Sequence, residues 1–156
     1  MKLTINSRSA DDTYSLGKYL GEKLEGGAVI ALRGDLGTGK TVFAQGFAEG
    51  LGITGAVNSP TFTILQIYEE GRVPLYHFDV YRIADPDEMN EIGSDDYFYS
   101  DGICLIEWPE QIEEILPEEA MTIRIEKDLE KGFSYRKITL EGFPAEVTKD
   151  MPAVFE

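Results

Sequence analysis

Cysteine is nearly absent from this 156-residue chain: Cys104 stands alone, so no internal disulfide can form. It sits inside an apolar run, which marks a buried, inert thiol rather than a nucleophile, and no cysteine–histidine spacing of a zinc site occurs. No apolar run is long enough to span a membrane, no basic start with an apolar stretch resembles a leader, and no fixed-period repeat recurs. The expectation is one soluble, cytoplasmic domain. Positive charge is scarce too. Fourteen lysines and arginines stand against 29 acids, a net charge of −15, and between Ile83 and Ile123 there is no lysine or arginine at all. Such a surface repels phosphodiester backbones, so the chain is poorly built to hold RNA or DNA by itself and better matched to a basic protein partner. Many of the same carboxylates also serve solubility.

What is present begins with Gly34-Asp35-Leu36-Gly37-Thr38-Gly39-Lys40-Thr41, which fits the phosphate-loop pattern G-x-x-x-x-G-K-[ST] at every fixed position. The context agrees. Ala28 to Leu32 is a continuous apolar run of the kind that forms a strand buried on both faces, and Val42, Phe43, Phe47, Ala48 and Leu51 recur at helical spacing until Gly50 and Gly52. In the order strand, loop, helix, the glycines let the backbone of Asp35, Leu36, Gly37, Thr38 and Gly39 approach a phosphate with its N–H groups and the helix start facing the anion. Lys40 supplies positive charge for the β and γ phosphates, and the Thr41 hydroxyl is a hard oxygen ligand suited to Mg²⁺. The site is thus expected to take ATP or ADP with Mg²⁺.

Around this loop the chain reads as a short strand at Leu3-Thr4-Ile5 and a helix capped by Ser9, with Thr13, Leu16, Leu20 and Leu24 on one face. Thr61 to Tyr68 and Val73 to Tyr81 read as a hairpin, Asp85 to Ile92 as a short helix, and Ile103 to Ile106 as a second buried strand. Met121 to Lys127 and Tyr135 to Glu141 read as a late hairpin. The fold class expected is α/β: a three-layer P-loop NTPase domain over residues 1–142 with a mixed, centrally parallel sheet, then a C-terminal tail over 143–156 without strong periodicity.

Three further constellations bear on chemistry. Four apolar residues followed by Glu107 mimic the strand-end acid that P-loop proteins place beside their metal. In His77-Phe78-Asp79-Val80-Tyr81-Arg82, alternation puts His77, Asp79 and Tyr81 on one face. Asp79 is placed to orient water, take a proton or coordinate metal; the structural alternative is an ion pair with Arg82 or a hydrogen bond with Tyr81, and His77 suits a structural role. Ser59-Pro60-Thr61-Phe62-Thr63 lies where a γ-phosphate switch would fall, or is simply the start of a strand. Six arginines, spread from Arg8 to Arg136, argue against a small-molecule kinase, and the lack of an Asn-Lys-x-Asp motif argues against a signalling GTPase. A small-molecule kinase and a nucleotide-gated binding module with little catalysis stay as the alternatives to the ATPase.

In series, GDLGTGKT, SPTFT, HFDVYR and LIEWPE resemble the bacterial tRNA threonylcarbamoyladenosine biosynthesis ATPase, the TsaE or YjeE family, over roughly Leu3 to Leu140. Asp12-Thr13 followed by Leu16-Gly17 is similar to the family's Glu-Thr-x-x-Leu-Gly, with Asp for Glu, which brings Thr13 into the nucleotide set. The resemblance implies an Mg-dependent ATP hydrolase, slow alone and stimulated by its partners. It would be accessory to threonylcarbamoyl transfer onto adenosine 37 of tRNA. Its implied partners are the transferase TsaD and the paralogous TsaB, which hold the tRNA that this chain meets only indirectly; hydrolysis resets their complex. Lys40 and Thr41 match the family's P-loop lysine and metal ligand, Thr61 its switch, Asp79 its proposed catalytic aspartate and Glu107 its strand-end acid. The resemblance implies no membrane partner.

Overall fold

The computed structural model describes residues 2–57 and 63–151. Seven strands, β1 (Lys2–Ser7), β2 (Val29–Arg33), β3 (Leu65–Tyr68), β4 (Leu75–Asp79), β5 (Ile103–Glu107), β6 (Met121–Lys127) and β7 (Arg136–Glu141), form one sheet in the order β1-β7-β6-β2-β5-β4-β3. The central four, β6, β2, β5 and β4, run parallel, and the antiparallel pairings β1–β7, β6–β7 and β3–β4 lie at the flanks. The mixed, centrally parallel α/β sheet therefore stands as the sequence implied. Parallel strands can be covered on both faces, and β5 is: Ile103 and Leu105 enter one core, Cys104 and Ile106 the other. The first core lies under α1 (Ala10–Lys23) and α2 (Lys40–Leu51), the second under α3 (Glu88–Ile92), α4 (Ser94–Phe98) and a 3-10 helix at Pro109–Ile115. No helix among the described residues is long and apolar enough to cross a membrane.

Local chemistry sets the boundaries. Ser9 caps α1 by accepting from the Asp12 N–H at 3.2 Å, while the Asp12 carboxylate accepts from the Arg8 N–H at 3.0 Å. Gly50 does not end α2; the helix runs to Leu51, and Gly52 at φ 93° closes it. Gly50 is instead a contact residue, since a Cβ there would lie 2.2 Å from the Lys18 carbonyl oxygen on α1. The helix expected from Asp85 begins at Glu88, because the Asp85 carboxylate accepts from the Asp87 N–H and makes a turn first. In the described part of the first hairpin strand, regular pairing covers Leu65–Tyr68. Beyond Glu141, Phe143 and Val147 are buried in the α1–α2 core and Ala145–Thr148 forms α5, so the described part of the 143–156 segment packs onto the domain.

Candidate functional site

The parallel registers of β2, β5 and β4 bring their carboxyl ends to one edge, with Leu32 opposite Glu107 and Glu107 opposite Asp79. The chain leaving β2 at Arg33 turns through Gly34 to Gly39 and enters α2 at Lys40. Gly39, at φ 109°, is the N-cap, and no side chain caps the helix start, the end of a helix that favours an anion. Gly34 must lack a side chain, because a Cβ would lie 2.7 Å from Thr38 Oγ1 and 2.8 Å from the Ile125 carbonyl oxygen. Within the loop, Thr38 Oγ1 donates to the Asp35 carbonyl at 2.9 Å. Arg136 of β7 donates from Nε to the Thr38 carbonyl at 2.8 Å and from Nη1 to both the Phe133 and Tyr135 carbonyls. The loop is thus tied to the late hairpin.

Lys40 is only 6 % exposed, and its amine has no hydrogen-bond partner among the described residues. It rests 3.5 Å from the centroid of the Trp108 ring. Burial lowers its pKa from the ordinary lysine value, partly offset by Glu107, Glu110, Asp79 and Asp35. A buried ammonium without an acceptor is the condition that an incoming phosphate relieves. Trp108 reaches it through a left-handed backbone, φ 61° and ψ 46°, the one such non-glycine residue among those described. That conformation costs about 1–2 kcal/mol and turns the indole over the amine and against Tyr81, with ring centroids 4.9 Å apart.

The two carboxylates differ in setting. Glu107 is 3 % exposed, and its Oε2 lies 2.6 Å from Nε2 of His77, a fully buried ring. Asp79 Oδ1 accepts from the backbone N–H of Tyr81 at 3.0 Å, the hydrogen-bonded alternative in backbone form, and no ion pair with Arg82 forms among the described residues. Burial raises the Asp79 pKa; the Tyr81 bond opposes this, Glu107 adds to it, and His77 and Lys40 oppose it. Thr41 is exposed in the first turn of α2. Thr41, Asp79 and Glu107 are all hard oxygen donors, yet among the described residues no group of three or more histidines, cysteines or acids could hold a metal by itself. That donor set fits a magnesium ion that takes its remaining ligands from phosphate and water.

Two openings flank the loop. A cleft of about 700 Å³ is lined by Asp35, Leu36, Trp108, Arg124 and Lys127, and one of about 250 Å³ by Thr13, Gly37, Gly39, Val42 and Phe133. Thr13 therefore borders the loop, and its hydroxyl is engaged with Ser7 Oγ at 2.7 Å. The expected switch residue Thr61 lies outside the described residues. Arg136, the His77–Glu107 pair and the Lys40–Trp108 contact were not anticipated as site geometry; their partners lie 98, 30 and 68 positions apart in the chain, beyond the reach of a local pattern. Arg33 is likewise spoken for, bridging Glu110 and Glu113.

The family model for threonylcarbamoyl adenosine biosynthesis protein TsaE matches residues 7–138. The chain belongs to the TsaE family. It is 49% identical to a tRNA threonylcarbamoyladenosine biosynthesis protein TsaE of Bacillus subtilis (strain 168) over 129 residues, 83% of this chain and 78% of the relative. It is 47% identical to a TsaE of Treponema pallidum (strain Nichols) over 119 residues, 76% of this chain and 87% of the relative. The fold is similar to the crystal structure of Bacillus subtilis YdiB, with a TM-score of 0.80 and 39% identity over 96% of this chain and 90% of that one. TsaE membership places the chain in threonylcarbamoyladenosine biosynthesis in tRNA. The match takes in Lys40, Asp79, Trp108 and Glu107 together, so this TsaE chain carries its buried lysine and both strand-end acids within the family region.

Proposed function

We propose that this chain is an Mg-dependent ATP hydrolase of the cytoplasm, slow alone, whose hydrolysis resets the TsaD–TsaB complex between rounds of threonylcarbamoyl transfer onto adenosine 37 of tRNA. The observation that carries this reading is the buried, unpartnered Lys40 amine beside Asp79 and Glu107 at the carboxyl ends of β2, β4 and β5. In this reading the backbone of Asp35 to Gly39 and the start of α2 hold the phosphates of ATP, and Lys40 leaves the Trp108 ring to meet the β and γ oxygens. Magnesium, when bound with the nucleotide, neutralises charge between those phosphates. Thr41 and Glu107 hold the metal side. Asp79 orients a water for attack on the γ-phosphorus; the bond to the β–γ bridging oxygen breaks with its electron pair going to ADP, the water proton passes to Asp79 and on to solvent, and ADP and phosphate are released. The raised Asp79 pKa suits a group that accepts a proton.

Dependence on partners is supported by three of the six arginines, although Arg124 lines the cleft beside the loop. Arg33, Arg72 and Arg136 are engaged with Glu110 and Glu113, with the Gly21 and Leu24 carbonyls, and with the loop and hairpin carbonyls. An arginine supplied in trans typically adds about 10³–10⁵ in rate. The test is steady-state phosphate release by the protein alone, with TsaD and TsaB, and with tRNA only. Stimulation by the pair is expected. Stimulation by tRNA alone, or equal rates throughout, contradicts the partner-gated reading; negligible release in every arm leaves a nucleotide-gated binding module, and phosphate appearing on a small acceptor makes the protein a kinase.

A further inference from the structure

We propose that His77 is the positioning residue of the metal-side carboxylate: it holds Glu107 in one fixed orientation at the strand ends before any nucleotide arrives. The inference rests on the assignment of Glu107 to the magnesium side of the site.

His77 is fully buried, and its ring has one polar contact among the described residues, Nε2 to Glu107 Oε2 at 2.6 Å; Nδ1 has none. A carboxylate oxygen accepts, so in this contact Nε2 is the donor atom of the ring and Nδ1 is the atom left without a partner. A buried ring nitrogen left unpaired costs free energy, and an apolar side chain of similar volume would remove that cost. A histidine kept only for packing has no use for this arrangement. What it gains is a single directed hydrogen bond to the one acid that closes β5.

The register shows what that bond does. In the parallel pair β4–β5, His77 lies opposite Leu105 and Asp79 opposite Glu107, so the contact from His77 to Glu107 is diagonal. Glu107 is drawn one residue pair back along the sheet, away from its direct neighbour Asp79. Two acids that would otherwise compete for one place are thereby separated: Glu107 is tethered to a side chain within the sheet, and Asp79 bonds the Tyr81 backbone N–H at the outer edge. The tether also holds Glu107 ready for a metal without the rotamer loss that ordering a free glutamate would add. Hydrogen-bonded partners of a ligating group typically change metal affinity about 10–100-fold when removed.

The test compares the dissociation constant of ADP with magnesium and with chelator, in the full-length protein, for wild type, His77→Asn, His77→Gln and Glu107→Gln. The ratio of the two constants reads the metal side alone. Gln places its amide nitrogen at the reach of Nε2, whereas Asn falls short of Glu107. His77→Asn is expected to cut the magnesium enhancement about tenfold while binding in chelator stays within about twofold; His77→Gln is expected to keep the enhancement. Equal weakening in both conditions, or an unchanged ratio in His77→Asn, overturns the proposal, and so does a folded His77→Gln that loses the ratio. If His77→Asn does not fold, His77→Leu takes its place and His77→Gln remains decisive. Glu107→Gln separates the two levels. A ratio untouched by Glu107→Gln, or no enhancement in wild type, removes the metal assignment itself, whereas a ratio lowered in Glu107→Gln but not in the His77 variants removes His77 alone.

Discussion

Lys40 carries its charge where the fold disfavours it, because burial outweighs the four acids that support it. Its folded pKa is depressed, so the unfavourable contribution is present wherever lysine is ionised and fades only as pH climbs toward the ordinary value of about 10.4. Lys40→Met, which keeps a long apolar side chain and removes the buried charge, is therefore expected to raise the melting temperature of the nucleotide-free protein by about 2–4 °C at neutral pH, corresponding to about 1 kcal/mol. The gain should shrink near pH 10, and the stabilisation by Mg·ADP should vanish at every pH; differential scanning fluorimetry with and without nucleotide checks both. The paired acids give a second prediction. Asp79→Asn should lower the turnover of the partner-stimulated enzyme about 10²-fold or more with little change in ATP affinity, the pattern of an interaction made only in the transition state. An Asp79→Asn enzyme with full turnover, measured beside its nucleotide dissociation constant, excludes the water-orienting role. Cys104 supplies a third. Its thiol is pushed up to about 12 by burial, so at pH 8 the thiolate fraction is about 10⁻⁴. Ellman's reagent should react at the rate of unfolding, and rapid native reaction would contradict the burial. At this scale the sequence revealed residue types and left their partners hidden: Lys40, Asp79 and Glu107 stand in recognisable motifs, but nothing near position 77 or 136 announces a bond to position 107 or 38.

Among elements, the crossing of α1 and α2 decides where the P-loop helix stands. A Cβ on Gly21 would lie 2.3 Å from the Phe47 carbonyl oxygen, and one on Gly46 would lie 2.1 Å from that of Tyr14, so the two backbones touch with no side chain between them. Alanine would add about 1 kcal/mol of helix propensity. The overlap involves rigid backbone, however, and overpacking of this kind costs about 1–3 kcal/mol, so the clash wins. Gly21→Ala and Gly46→Ala should each lower the melting temperature by several degrees. Because Lys40 is the first residue of α2, ADP should bind more weakly as well; an unchanged melting temperature in circular dichroism would show that the helices can part freely. This crossing also explains where pattern reading stopped. Buried β2 and β5 were legible as unbroken apolar runs, and both hairpins as alternating ones, but Gly50 resembles a helix stop when propensity is weighed alone, and tertiary contact with Lys18 overrides it. Likewise β6 is recognisable as a partner of β7, while its parallel pairing with β2 has no local mark. The α5 turn, at four residues, is too short for periodicity to reveal, although Phe143 and Val147 reach the core.

Over the whole molecule, charge is divided by layer. The stretch without lysine or arginine, residues 83–123, supplies α3, α4, β5 and the 3-10 helix at Pro109–Ile115, so its exposed acids cover the layer over the second core. The α1–α2 layer carries Lys18 and Lys23 among its acids. An asymmetry of this kind acts at range: at low salt the field steers a basic partner toward one face, and at about 0.15 M salt the Debye length of about 8 Å confines it to close approach. The 3-10 helix links this layer to the site, since it follows Trp108 directly and its Glu110 and Glu113 hold Arg33 at the end of β2. A partner seated on the acidic layer would thus sit one helix away from Trp108 and the Lys40 amine beneath it. Reversing the exposed acids Glu91, Glu114 and Glu118 to lysine leaves those ion pairs and the nucleotide residues untouched. The triple variant is therefore expected to keep the slow basal ATPase and its Mg·ADP affinity while associating with TsaD–TsaB about tenfold or more slowly at low salt, with a flatter dependence on salt. Surface-plasmon-resonance association rates between about 0.05 and 0.5 M salt, read beside phosphate release at saturating partner, decide it. Slower association with full stimulation at saturation is the signature of steering, whereas an association rate equal to wild type across the salt range would move the docking face away from this layer.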